Sequence, residues 1–195
     1  RRYLQNNDYV LVNRQPSLRK KSIMAHRVRI CPGKTIRLNL SCTSAYNADF
    51  DGDEMNIHAP QDLESHAEMK ELMAVDKQVL NAQNNKPILS IIQDSLVGCY
   101  RLTAPGVHLT RQQFMQYMMA IKYPVKPLKP MPPPALRLPH QRWTGHQLFS
   151  MILPRITITT HDMIIRHGEL IKGRLTKGNV NAIISNCARY FSDTK

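Results

Sequence analysis

The apolar positions along this chain change their period several times, and the changes divide it. Residues 9–12, Tyr-Val-Leu-Val, close a loosely alternating stretch and predict a strand within residues 3–13. Pro16 ends it, because proline lacks the N–H that a central strand needs. Residues 17–25 predict a short helix or loop carrying Arg19, Lys20 and Lys21. Alternation resumes over residues 26–30 and 35–40 through Val28, Ile30, Ile36, Leu38 and Leu40, which predicts two strands joined by a turn at Pro32-Gly33. Arg27, Arg29 and Arg37 then fall on the opposite side, so one sheet face is expected to be apolar and the other cationic. Residues 55–58 alternate once more, and Pro60 closes this β-rich part.

Beyond Pro60 the period lengthens. Residues 62–73 predict a helix with Leu63, Ala67 and Leu72 inward and an acidic first turn that suits the helix dipole. A polar loop at 81–86 precedes a helix from about residue 91 to residue 102. Thr110-x-x-Gln113 and Thr144-x-x-Gln147 are capping-box signatures that each open a helix. Met115, Met118 and Met119 are expected in the core face of the first of these. Between the two lie residues 123–139, seven of them proline and none acidic, which predicts an extended connection rather than packed structure. Residues 156–160 predict a strand, His167-Gly168 a hairpin turn, and residues 181–190 a last helix. The pattern is mixed α/β (α+β), with a boundary near Pro60 between residues 1–60 and residues 61–195.

Charge changes the picture. The formal net charge is +13, from 27 Lys and Arg against 14 Asp and Glu. Residues 9–48 hold eight Lys and Arg and no acid, whereas eight of the 14 acids fall within residues 49–71. An acidic point in a basic chain suits an enzyme acting on a polyanion, since the basic surface attracts phosphate and the acids can hold a metal ion. Cys31, Cys42, Cys99 and Cys187 form no C-x-x-C pair, which argues against a zinc site or disulfide framework and for reduced thiols inside a cell. The chain opens on Arg1 without a basic-then-apolar leader, and no apolar run nears the ~18–20 residues of a membrane span, so an interior segment of a longer intracellular protein is expected.

The chemistry concentrates in residues 47–56, NADFDGDEMN. In a flat strand Asp49, Asp51 and Asp53 would share a face at roughly 6–7 Å spacing, too far apart for one small ion. Gly52 can take φ > 0 and curl the chain so that the carboxylates converge. Hard oxygen ligands arranged in that way suit Mg²⁺. An EF-hand fits poorly: counted from Asp49, Glu54 stands where that loop needs Gly, and Pro60 where it needs a bidentate Glu.

The decapeptide resembles the metal-binding loop of the largest subunit of multisubunit DNA-directed RNA polymerases. So do NRQPSL (13–18), MAHRV (24–28), KPILSIIQDSLVG (86–98) and WTGHQLFSMILP (143–154), so that the likeness spans nearly the whole chain. The wording is of the eukaryotic, archaeal or large-DNA-virus type, and the proline-rich insertion inclines it towards a virus. The resemblance implies that residues 1–60 form part of a double-psi β-barrel. It implies that residues 61–195 form a pore- and funnel-entry-like region. It makes Asp49, Asp51 and Asp53 the ligands of a tightly held Mg²⁺, and places Arg14, Pro16 and Asn47 beside the incoming nucleotide, Arg14 and Asn47 near its ribose. The implied reaction is two-metal nucleotidyl transfer, with the second Mg²⁺ arriving on the ribonucleoside triphosphate. Implied partners are the DNA template, the RNA transcript, the second-largest subunit and smaller subunits, in the nucleus or, for a virus, at a cytoplasmic replication site or in the virion. Arg19, Lys20, Lys21, Arg27, Arg29 and Arg37 are candidates to line the path of the RNA–DNA hybrid. The alternatives are a nucleic-acid-binding module with a structural metal loop, and an unrelated Mg²⁺-dependent phosphohydrolase, for which no separate base or nucleophile motif is present.

Overall fold

The computed structural model describes residues 3–121 and 129–192. The chain divides into two compact units, Arg1–Ser90 and Ile91–Lys195.

The first unit is built on strand β1 (Tyr9–Asn13), whose alternating burial puts Val10 and Val12 inward. Strand β2 (Ile23–Arg27) pairs with it antiparallel along its full length, from Tyr9↔Arg27 to Asn13↔Ile23. Strand β3 (Asn56–His58) pairs with its other edge, from Leu11↔His58 to Asn13↔Asn56. The sheet order is therefore β2-β1-β3. Between β2 and β3 the chain forms a 3-10 turn, Leu40–Cys42, that runs into a single helical turn, α1 (Thr43–Tyr46). Asn39 starts this turn by accepting the Ser41 N–H with its side chain. Cys42, Ala45 and Tyr46 pack with Val10, Val12 and Met24 into the core of the unit.

Four expectations from the sequence are corrected here. Residues 35–40 form no strand and join neither edge of the three-stranded sheet; Leu38 packs on the core without joining a ladder. Arg29 and Arg37 consequently lie outside the sheet, and only Arg27 of the three stands on a strand, so the single cationic sheet face does not form. Lys21 is buried, and its ammonium donates to the carbonyls of Gln78 (2.7 Å) and Leu80, which removes it from the exposed cations. Helix α2 (Leu63–Glu68) begins as expected, with Asp62 accepting the Ser65 N–H, but it continues as a π-helical turn, Met69–Met73. The wider turn rotates the apolar face: Met69 is buried, whereas Leu63 and Leu72 are exposed.

The second unit holds two apolar clusters. Helix α3 (Gln93–Leu102) and strand β4 (His108–Leu109) lead to helix α4 (Arg111–Met119). Strand β5 (Trp143–Thr144) pairs with β4 and runs directly into helix α5 (Gly145–Ser150). Both capping boxes form in full, at Thr110/Gln113 and at Thr144/Gln147. Phe114 and Trp143 anchor one cluster; of the α4 methionines only Met118 packs against it, while Met115 and Met119 are exposed, since Phe114 sets which face turns inward. The second cluster lies under the antiparallel sheet of β6 (Ile158–Thr159), β7 (Ile164–Arg166) and β8 (Glu169–Lys172), closed by helix α6 (Lys177–Ser192).

The proline-rich connection lies outside the described residues over 122–128, but its later part is packed rather than free. Pro132 and Pro133 carbonyls accept from Trp143 Nε1 and Gln147 Nε2, each at 2.9 Å. Lys129 Nζ donates to the carbonyls of Ser150 (2.6 Å) and Gly168 (2.9 Å). Proline has no N–H to give to a ladder, and the carbonyls of Pro132 and Pro133 are taken up by the Trp143 and Gln147 side chains instead. No helix among the described residues is long and apolar enough to cross a membrane.

Two glycines separate backbone freedom from helix propensity. Gly173 has φ +109°, and a Cβ there would lie 2.3 Å from the Asp162 carbonyl oxygen. Gly98 lies exposed within α3 with open space around it. Gly173→Ala is expected to cost more than about 1 kcal/mol, and Gly98→Ala to stabilise by about 0.5–1 kcal/mol. Urea denaturation of the two variants reads both signs.

Candidate active site

The acidic loop runs from the end of α1 to the start of β3, between a helical turn and a strand rather than between two strands. The helical turn went unseen because its four residues, Thr-Ser-Ala-Tyr, are too few to show a period. Asn47 ends α1 in the left-handed conformation (φ 50°), its N–H donating to the Thr43 carbonyl. Asparagine tolerates this region better than most residues. Gly52 takes φ +123°, the curl that the sequence requires of it. As a result one carboxylate oxygen of each of Asp49, Asp51 and Asp53 comes within 4.8 Å of the others.

The closing side of the loop is fixed by the sheet. The Asn13↔Asn56 pair brings the residue after β1 beside the residues before β3. Arg14 Nε there donates to Asp53 Oδ2 at 2.7 Å, and Arg14 Nη1 donates to the Tyr46 carbonyl at 3.5 Å. The Asp49 N–H donates to the same Asp53 oxygen at 3.1 Å. Arg14 and Asp53 side chains are 21% and 19% exposed, so this pair is shielded more than an ordinary surface pair. Pro16 follows in an exposed turn, its carbonyl accepting the Leu18 N–H at 3.0 Å.

The aspartates therefore divide by environment. The Arg14 hydrogen bond, followed by the Asp49 N–H, holds the Asp53 carboxyl below the usual range. Asp49 is pushed up, first by its hydrogen bond with the Asp51 carboxyl and then by desolvation and the charges of Asp51 and Asp53. Asp53 in turn raises the Arg14 guanidinium, which stays charged. A cluster in which one carboxylate has a fixed cation and another is short of one is suited to a divalent cation. The oxygens around an octahedral Mg²⁺, bound at about 2.0–2.1 Å, stand about 3–4 Å apart, and a separation of up to 4.8 Å needs only a small contraction to reach that.

The structure thus joins Asp49, Asp51, Asp53 and Arg14 by direct contact, and brings Asn47 in through its neighbour Tyr46. Tyr46 and His26 also belong to this neighbourhood, although neither carries a chemical motif of its own in the sequence. Tyr46 is 2% exposed, and its hydroxyl and His26 Nε2 share a hydrogen bond of 2.6 Å with the rings stacked at 5.8 Å. The available signal was a buried-type aromatic directly before Asn47 in a chain of few aromatics. Arg19, Lys20, Arg27, Arg29 and Arg37 are exposed.

Two family models together match all but residues 76–77: RNA polymerase Rpb1, domain 2, over residues 1–75, and RNA polymerase Rpb1, domain 3, over residues 78–195. The chain is 42% identical, over 93% of its length, to the DNA-directed RNA polymerase II subunits RPB1-A and RPB1-B of Trypanosoma brucei brucei. It spans 11% of the length of each.

The opposed shifts give a test by carboxyl NMR titration. Arg14→Ala is expected to raise the Asp53 titration towards the ordinary carboxylate value, and Asp51→Asn to lower that of Asp49. A depressed Asp53 adds stability that is present above its unfolded pKa and is lost as the pH falls through its folded value. Arg14→Ala should therefore flatten the acid limb of the pH–stability curve.

Proposed function

Because the chain belongs to the RNA polymerase Rpb1 family, the largest-subunit family, we propose that it supplies the metal-holding loop of a DNA-directed RNA polymerase. The observation that carries this is the convergence of Asp49, Asp51 and Asp53, with Arg14 bonded to Asp53. In this reading the three aspartates hold Mg²⁺. Bound there, the ion would supply Lewis-acid chemistry toward the RNA 3′-hydroxyl, and a second Mg²⁺ brought by the nucleoside triphosphate would offset charge on the leaving pyrophosphate.

The chain's own groups position and select. The new bond joins the RNA 3′-oxygen to the α-phosphorus, and the bond to pyrophosphate breaks. The Arg14 guanidinium has five N–H donors; two of them reach Asp53 and the Tyr46 carbonyl, which leaves others for a ribose hydroxyl. Asn47, the residue after Tyr46, is exposed, and its amide offers both a donor and an acceptor. A site built to bond a 2′-hydroxyl rejects the sugar that lacks it, because its polar groups are left unpaired. Pro16 would pack beside the nucleotide from the turn after Arg14.

The same reading makes residues 1–60 part of a double-psi β-barrel and residues 61–195 a pore- and funnel-entry-like region, a division by role. Residues 35–40 alternate like a strand yet have no partner among the described residues, which suits a barrel completed by other parts of the subunit. The exposed cations Arg19, Lys20, Arg27, Arg29 and Arg37 suit the phosphates of template DNA and transcript. The second-largest and smaller subunits are the protein partners, and the nucleus is the compartment, as for a polymerase II.

In the intact subunit, Asp51→Ala is expected to leave assembly and nucleic-acid binding in place and to abolish RNA extension on a primed template. Normal extension would instead favour a binding module whose aspartates are structural. The isolated 195-residue chain is expected to show no templated synthesis.

A further inference from the structure

Asn47 and Arg14 come from different elements, and their placement depends on a shared support. Arg14 follows β1 directly. Asn47 ends α1, a helix of four residues, Thr43–Tyr46, that has no stability of its own. What fixes α1 is the burial of its inner face and the bond from Tyr46 to His26. His26 lies on β2 opposite Val10 of β1, within the ladder that ends at Asn13, one residue before Arg14. The circuit closes on Tyr46 itself, whose carbonyl accepts from Arg14 Nη1. Both groups are thereby referred to one sheet, Arg14 through β1 and Asn47 through β2, His26 and Tyr46.

Resting on the proposed reading of Arg14 and Asn47, we infer that the His26–Tyr46 pair is a positioning device for ribose recognition, setting the distance between the two groups that read the sugar. Tyr46 touches no substrate; it acts through its carbonyl on Arg14 and through the backbone on Asn47. Burial favours the neutral imidazole of His26 and the protonated phenol of Tyr46, so the bond is between uncharged partners. Such a bond holds geometry without bringing another charge near the aspartates.

The test uses the assembled polymerase carrying Tyr46→Phe, His26→Ala, His26→Gln or Arg14→Ala in its largest subunit. Single-nucleotide addition on a template–primer scaffold gives kcat and KM for a ribonucleotide and for its 2′-deoxy analogue. Tyr46→Phe keeps the buried ring and removes only the hydroxyl. It and His26→Ala are each expected to lower discrimination against the deoxynucleotide about tenfold, the effect of a sub-ångström misplacement. The loss should fall more on the ribonucleotide KM than on kcat. The double variant should lose no more than either single one, as for two residues acting through one bond. His26→Gln, whose amide can reach the hydroxyl, should keep most of the discrimination. Unchanged discrimination in Tyr46→Phe and His26→Ala, with Arg14→Ala lowering it, overturns the positioning role; so does a fall in kcat alone. Unchanged discrimination in Arg14→Ala overturns the ribose assignment itself, and the inference with it.

Discussion

Like charges held close repel one another, and much of the first unit can be understood as a set of restraints on that repulsion. Asp49, Asp51 and Asp53 would relax apart in a free loop. Here one end of the loop is tied to a buried helical turn and the other to the edge of a sheet, and Gly52 supplies the curl between them. Arg14 neutralises one of the three, and the Asp49 N–H turns back onto the same oxygen. The residual imbalance, in which Asp53 has a fixed cation and Asp49 has none, suits the proposed reading of the cluster as a cation site. A fully neutralised cluster would gain nothing from a metal ion.

The restraints lie in elements of different legibility. β1 and the β3 strand were readable because each alternates next to a proline that stops it. Gly52 was readable because glycine is the residue a left-handed curl requires. Both capping boxes were readable because their partners sit three residues apart in sequence. What stayed hidden depends on long-range partners. The 35–40 stretch alternates as well as any strand here, but a strand needs a ladder partner, and alternation says nothing of whether one is at hand. Leu63 and Leu72 keep helical spacing, yet a π-helical turn shifts the inward face to Met69. The proline-rich stretch looked like a linker because its acceptors are backbone carbonyls, which carry no sequence signal; their donors, Trp143 and Gln147, are residues away.

The site shows the same division. The three aspartates announce themselves by charge and spacing alone. Arg14 does not: in a chain of 27 Lys and Arg, charge and spacing leave it one cation among many, and beyond the NRQPSL resemblance it is its place one residue after β1, beside the start of β3, that sets it apart. Lys21 makes the converse point. In sequence it belongs to a basic run with Arg19 and Lys20, but in the fold its ammonium is enclosed by carbonyls and serves packing. A cluster of positive residues is thus a poor guide to which of them face a ligand.

Arg14 also couples two tasks that could have been separate. Its Nε holds Asp53 while its Nη1 reaches the carbonyl of Tyr46, the residue before Asn47. In the proposed reading, a sugar that pulls the guanidinium out of place also loosens the restraint on a metal ligand. Selection of the sugar and readiness of the metal cage then become one mechanical event. That arrangement requires a firm reference for the guanidinium, and the sheet supplies it twice, through β1 and through the buried tyrosine. A second, independent arginine for Asp53 would hold the metal cage whatever sugar arrived, and the coupling would be lost.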